Sequence, residues 1–338
     1  MRGGPPLVAA FLVLATIEPA PAQPAAKDAP KVAAKEPLKA PVKELPTPFT
    51  PGFVGARPGP SGREPDIAFG AYQRGQYTTA FREATKRIAA DPKDAAAMTL
   101  LGELHNQGLG VSQNPVKAAE WYRLAAAQGD VHAMAALGLM AIDGRGGPKD
   151  PKAGRRWLEQ ASEKGEPTAS YNLALIVLGS DSDQAKAAAL FRKAAEGEIA
   201  PAQHNLGVMY LQGRGVPKDP AQAAEWFRRA ADNGDIAGEV EFAIQLFNGN
   251  GVAKDEIRAA RYFLHAASRG NAIAQNRLAR LYAAGRGVQK NPVEAASWNL
   301  TASGQGLVDA WLDQNLAGLS ADERSRAERL AAERASDK

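Results

Sequence analysis

Two landmarks in this chain recur at one shared period, and that period constrains the fold more than any other feature. Leu101, Leu137, Leu173, Leu206, Phe242 and Leu278 are separated by 36, 36, 33, 36 and 36 residues. Trp121, Trp157, Leu190, Trp226, Tyr262 and Trp298 are separated by 36, 33, 36, 36 and 36 residues, the same period with one three-residue shortening, which both series place inside the third unit, between Leu173 and Leu190. A repeat of this length is one supersecondary unit that cannot bury its apolar face alone, so neighbouring units must stack. The chain therefore reads as an array.

The stretch from Ile199 to Gly234 shows how one unit works. Ala202, Leu206, Gly207 and Tyr210 fall on one face of a first helix. Glycine weakens a helix, so Gly207 needs a reason, and close approach of a second helix supplies one. Gly213 and Gly215 end the first helix, where a positive φ costs glycine little. Asp219-Pro220 then begins the second, an N-cap followed by proline in the first turn. Asn114-Pro115, Asp150-Pro151 and Asn291-Pro292 repeat the device. Ala223, Trp226, Phe227 and Ala230 make the buried stripe, and Gly234 closes the unit, as Gly129, Gly165, Gly197, Gly270 and Gly306 do elsewhere.

Composition agrees with thin, close-packed layers. Hydrophobic residues are 45% of the chain, yet aromatics are only 7%. The 41 basic and 37 acidic residues are interspersed, and no basic run is interleaved with aromatics, so nucleic acid is not an expected partner. Cysteine is absent, which excludes disulfides, thiolate catalysis and thiolate metal sites.

The N-terminus reads as an address. Arg2 precedes an apolar run from Leu7 to Ile17, and Ala20-Pro21-Ala22 offers small residues to a signal peptidase. The expectation is a signal peptide over residues 1–22 cleaved near Ala22, a periplasmic or secreted product of a bacterial cell, and no transmembrane segment in the mature chain. Residues 23–63 hold nine prolines and few large apolar groups, which predicts a disordered linker. Its lysines at 27, 31, 35, 39 and 43 read as a solvated face.

From Ala68 the chain resembles one tetratricopeptide unit, carried by Gly75, Tyr77, Ala80, Ala84 and Pro92, with Arg87 where a small residue is usual. Residues 64–96 are expected to cap the array. The next six units, 97–306, resemble the Sel1-like repeat. The resemblance rests on the pairs Leu101-Gly102, Leu137-Gly138 and Leu206-Gly207. It rests also on the double-glycine loops that begin at Gly108, Gly213, Gly249 and Gly285, and on Lys117-Ala118-Ala119-Glu120-Trp121. The third unit departs, with Gly179-Ser180-Asp181-Ser182-Asp183 as a shorter corner. Residues 307–338 are expected to close the array with helices begun by Val308, Trp311, Leu312 and Leu316, then by the capping box Ser320-Ala321-Asp322-Glu323. The resemblance implies an all-α, right-handed superhelical solenoid of antiparallel helix pairs.

No chemistry stands out. His105, His132, His204 and His265 lie in different units without ligand spacing, so no metal or other cofactor is expected. The glycine loops join helix to helix and lack the strand and lysine that phosphate cradles need. No Gly-x-Ser-x-Gly elbow is present. The resemblance instead implies a non-catalytic scaffold or adaptor for protein partners in the cell envelope. A peptidoglycan- or polysaccharide-binding protein, or a β-lactamase-like envelope enzyme, is the alternative, weakened by the missing cysteines of that enzyme-like group.

In related arrays the first helices line a concave groove. Three rows would face it here: Glu103, Leu139, Leu175, Val208, Ile244 and Arg280; Asn106, Ile142, Leu178, Leu211, Phe247 and Ala283; and Thr99, Ala135, Tyr171, His204, Val240 and Asn276. The central units are apolar and the outer ones polar. Leu139, Ile142, Tyr171, Leu175, Leu178, His204, Val208, Leu211, Val240, Ile244 and Phe247 are the candidate partner-binding residues. The competing reading is that curvature buries these rows between neighbouring first helices.

Overall fold

The computed structural model describes residues 66–181 and 183–336. The expected signal peptide and linker lie outside the described residues. Within them the chain is all α-helical, without strands, and it forms a repeat solenoid.

A short pair, α1 (Ile67–Gln73) and α2 (Tyr77–Ala90), opens the array. Six pairs follow: α3 (Ala95–Gln107) with α4 (Pro115–Ala127), α5 (Val131–Asp143) with α6 (Pro151–Glu163), and α7 (Pro167–Ile176) with α8 (Gln184–Glu196). Then come α9 (Ala200–Gln212) with α10 (Pro220–Asp232), α11 (Ile236–Asn248) with α12 (Glu256–Ser268), and α13 (Ala272–Ala284) with α14 (Pro292–Ser303). The chain ends with α15 (Ala310–Leu316) and α16 (Ala321–Ser336).

Glycine permits the helix pairs to close. A Cβ at Gly207 would stand 2.6 Å from the Phe227 ring, and one at Gly102 would stand 2.7 Å from Tyr122. Each second helix of the six full pairs is started by a side-chain cap, from Asn114, Asp150, Asp183, Asp219, Asp255 and Asn291 in turn. The carboxylates and amides accept from amides that the helix itself leaves unpaired. Most first helices have a cap too, from Asp94, Asp130, Glu166, Asp235 and Asn271.

The second loop glycine joins units. A Cβ at Gly215, Gly251 or Gly287 would fall 2.0–2.1 Å from a carbonyl oxygen at the start of the preceding unit's second helix. Gly110 seats in the same way against Tyr77 and Thr78, so α1 and α2 stand in register as one more unit. Apolar packing then runs without a break from Met98 to Leu312.

At several junctions a first helix also meets the next first helix. α5 touches α7, α9 touches α11 and α13 touches α15, in addition to their own partners. Among the described residues, no two second helices of the repeats make comparable contact.

The C-terminal end differs in detail from expectation. α15 starts at Ala310 rather than Val308, which stands 74% exposed. The cap that starts it is Asp309, held in place by Arg280. Leu312 is fully buried, whereas Trp311 lies open beside Arg280. The capping box forms: Ser320 N–H donates to Glu323 at 2.9 Å and Glu323 N–H to the Ser320 hydroxyl at 3.3 Å. α16 folds back on α14, where Ala327 covers Val293 and Ala296.

Candidate protein-binding face

All eleven candidate residues lie on first helices or at their C-terminal ends, and none is fully exposed. Val240 and Phe247 are buried, at 4% and 7% exposure. Leu139, Ile142, Tyr171, Leu175, Leu178, Val208, Leu211 and Ile244 are half-buried, each packed against the continuous core. His204 is half-buried as well, its ring 5.8 Å from that of Phe227. The eleven candidates thus pack against their neighbours, and all but Val240 and Phe247 keep part of their surface open.

Two devices cover the rows that sequence spacing did not reveal. The first is the arginine between the loop glycines, which reaches back one unit. Arg286 lies 4.2 Å from the centre of the Phe247 ring and pairs with Glu256 at 2.5 Å. Arg145 donates to Asn106 in the corresponding way. The second is the first-helix cap, which also serves the preceding unit. Asp309 caps α15 and receives Asn276 at 2.7 Å and Arg280 at 2.6 and 2.9 Å. Asp235 caps α11 and acts on His204 and Tyr171. The recurrence of Asp94, Asp130, Asp235 and Asn271 is visible in the sequence, and it was the signal available for this second device.

The electrostatics follow from partial burial. Burial pushes the His204 imidazole below its usual range, with Asp235 opposing in part. Burial likewise raises the Tyr171 phenol, helped by Asp235 and opposed by a hydrogen bond with Asn205. Toward the C-terminal end, burial raises the Glu241 carboxyl, with Arg277 opposing. Toward the N-terminal end, Tyr122 donates to Glu103 at 2.5 Å, and burial beside Glu103 pushes Tyr72 up to about 12. The margins of the face are therefore polar groups bound to one another, and its middle is mostly apolar, with Tyr171, His204 and Phe247 among the aliphatic side chains.

Other chemistry is sparse. Among the described residues no three His, Asp or Glu side chains are placed to hold a metal ion, and no helix is long and apolar enough to cross a membrane. A recess of about 150 Å³ near the N-terminal end is lined by Asp66, Phe69, Arg87, Leu100, Asp130 and His132. Arg87 is committed there to Asp66 and Asp94, at 2.5 and 2.7 Å.

The Sel1 repeat matches residues 95–130, 131–166, 167–198, 200–235, 246–271 and 272–307, more than half of the chain. The chain belongs to the Sel1-repeat family. Its fifth Sel1 match begins late, at residue 246, after Phe242-Ala243 stands in place of the usual Leu-Gly pair. The helix pair forms there regardless, with Ala243 fully buried. Among solved Sel1 relatives, the chain is similar to a protective antigen of uropathogenic Escherichia coli displaying an SLR fold. Identity to it is 27% over 80% of this chain and 67% of that one, with a TM-score of 0.52. It is also similar to a Sel1 repeat protein from Oxalobacter formigenes, at 26% identity over 79% of this chain and 98% of that one, with a TM-score of 0.42. No match to a curated protein is found. Sel1 repeats generally mediate protein–protein interaction and are generally non-catalytic.

Proposed function

We propose that this protein is a non-catalytic interaction scaffold of the bacterial cell envelope, and that it holds an apolar segment of a protein partner on the inner row of first helices. The observation that carries the reading is the aliphatic band Leu139, Leu175, Val208 and Ile244. These residues stand one per unit, half-buried, with polar margins at Glu103 and Arg280. A partner covering that band would remove apolar surface from water at about 25 cal/mol per Å², while the paired polar groups at the ends would fix its extent. The N-terminal leader, Arg2 with the apolar run to Ile17 and Ala20-Pro21-Ala22, supports export.

Two measurements test this. Leu175→Glu and Val208→Glu are expected to abolish capture of the partner from envelope extracts while far-ultraviolet circular dichroism stays unchanged. Capture at wild-type strength by both folded variants would sink the groove. For the envelope setting, N-terminal sequencing of the protein from a periplasmic fraction is expected to begin just after Ala22. A full-length chain confined to the cytoplasm would sink export.

A further inference from the structure

At every junction between helix pairs but one, a loop glycine seats on the first residue of the preceding second helix. Gly110, Gly146, Gly215, Gly251 and Gly287 lie against Tyr77, Pro115, Gln184, Pro220 and Glu256, which begin α2, α4, α8, α10 and α12. Each of those first residues is half-buried. Pro151, which begins α6, is instead exposed. The unit that follows it turns its corner by the π-helical turn Val177–Asp181, and Gly179 there meets nothing within 4 Å. In this respect Pro151 matches Pro292, which begins the second helix of the last Sel1 repeat and is exposed as well. The middle of the array thus contains an edge like the one at its end.

The opposite end of α6 is tied down. The Ser162 and Ser170 hydroxyls share a buried hydrogen bond of 2.8 Å between α6 and α7. Glu166, buried in the turn between those helices, accepts the Ala169 amide, and its own amide donates to the Ala161 carbonyl at 2.9 Å. His132 Nδ1 stands 3.5 Å from the Glu166 carboxylate, and α5 touches α7. Among the described residues, the second and third units are therefore joined where α6 ends and open where α6 starts.

We propose that this junction is the bending joint of the array: the third unit swings about the Glu166 turn, while the wedged junctions on either side hold their angle. In a stacked array each unit contacts only its neighbours, so a change of shape collects at the junction with least to break. At the flanking junctions Gly146 and Gly215 lie so close to the carbonyls of Pro115 and Gln184 that a Cβ would not fit. Backbone packed that closely has little room to give. From Pro151 to Glu163 α6 spans about 18 Å, so a swing of about 10° at its anchored end moves the other end by about 3 Å. The joint also divides the band described above, since Leu139 lies on α5 and Leu175 on α7. On the reading that this band holds a partner, bending sets the reach between its first two contacts.

The chain has no cysteine, so two introduced cysteines are its only sites for thiol-directed spin labels. Lys152→Cys with Ala185→Cys spans this junction, and Ala221→Cys with Ile257→Cys spans the junction of the fourth and fifth units at equivalent exposed positions. Electron–electron distance measurements on the whole protein, without any partner, are expected to give a distribution about 3 Å broader for the first pair. Replacing residues 179–182 with the sequence of residues 212–218 restores the full period and the double-glycine corner. That replacement is expected to narrow the first distribution to the width of the second. Equal widths with the native corner, or no narrowing in a replaced chain that keeps its helicity, would overturn the joint. Should the replaced chain fail to fold, the two label pairs in the native corner decide the matter alone. Because no partner enters the measurement, failure of the joint leaves the groove standing, and failure of the groove leaves the joint.

Discussion

The third and fourth units adjoin in one array, yet they turn the chain by different means. In the fourth, Gly213 and Gly215 both adopt positive φ, at 71° each, and the Asp219 amide closes the corner on the Tyr210 carbonyl at 2.9 Å. Gly215 then wedges against Gln184 of the unit before. In the third, the first helix runs on into a π-helical turn, Val177–Asp181, and Gly179 has no neighbour for a Cβ to meet within 4 Å. Both units still bury the same aromatic position, Phe191 and Phe227. The pairing of helices and the docking of units are thus separable. The first depends on a small residue at one shared position of the first helix, Ala174 or Gly207, and the second on the loop.

The largest effect should come from the wedge. Gly215→Ala forces a left-handed residue, at about 1–2 kcal/mol, and sets a Cβ against a backbone carbonyl that cannot step aside. We expect a loss of about 3 kcal/mol, read by chemical denaturation. Gly179→Ala is expected to lose nothing, since it meets open space and a helical residue is improved by alanine. Equal losses at the two sites would show that the corners do the same work.

A smaller effect is expected where the third unit meets the fourth. Elsewhere a glycine holds the left-handed residue between units, as Gly234 does at φ 83°. Here Gly197 has φ −83° and the left-handed residue is Glu198, at φ 63°. Gly197 serves close packing instead, since a Cβ there would meet Pro167 at 2.4 Å. Relieving Glu198 with glycine should stabilise by about 0.5–1 kcal/mol, the strain removed less the added chain entropy. For an array of this size that is a rise in Tm of about 1–4 °C. No rise would mean that Glu198 gains from its surroundings what the backbone loses.

These contrasts also separate what the sequence could reveal from what it could not. The 36-residue period, the Asp-Pro and Asn-Pro starts and Gly207 under Phe227 are local patterns repeated in register, so each copy strengthens the others. Gly197 ends α8 as expected, but the left-handed residue is Glu198, one position on, and composition alone cannot say which residue takes positive φ. The wedge of Gly215 on Gln184 is a contact between backbones of different units, and spacing carries no trace of it. The candidate face shows the same divide. Its position on the first helices followed from periodicity, but the cover that Arg286 gives Phe247, and the hold of Asp309 on Arg280, depend on how one unit meets the next.

The smallest effect tests the last difference between the two units, the start of their following helices. Asp235 caps α11 through the Gly238 amide, whereas Ile199 at the equivalent place before α9 offers no side-chain cap. Ile199 is not idle, because it packs half-buried against the core. Ile199→Asp would add a cap worth about 1 kcal/mol and give up apolar burial of similar size, about half of the 1.5–3 kcal/mol for a fully buried side chain. The two terms oppose, so the net change is expected within about 0.5 kcal/mol of zero by chemical denaturation. A gain above 1 kcal/mol would mean that the packing of Ile199 contributes little, and a loss above 1 kcal/mol that the array holds its third and fourth units together through this side chain.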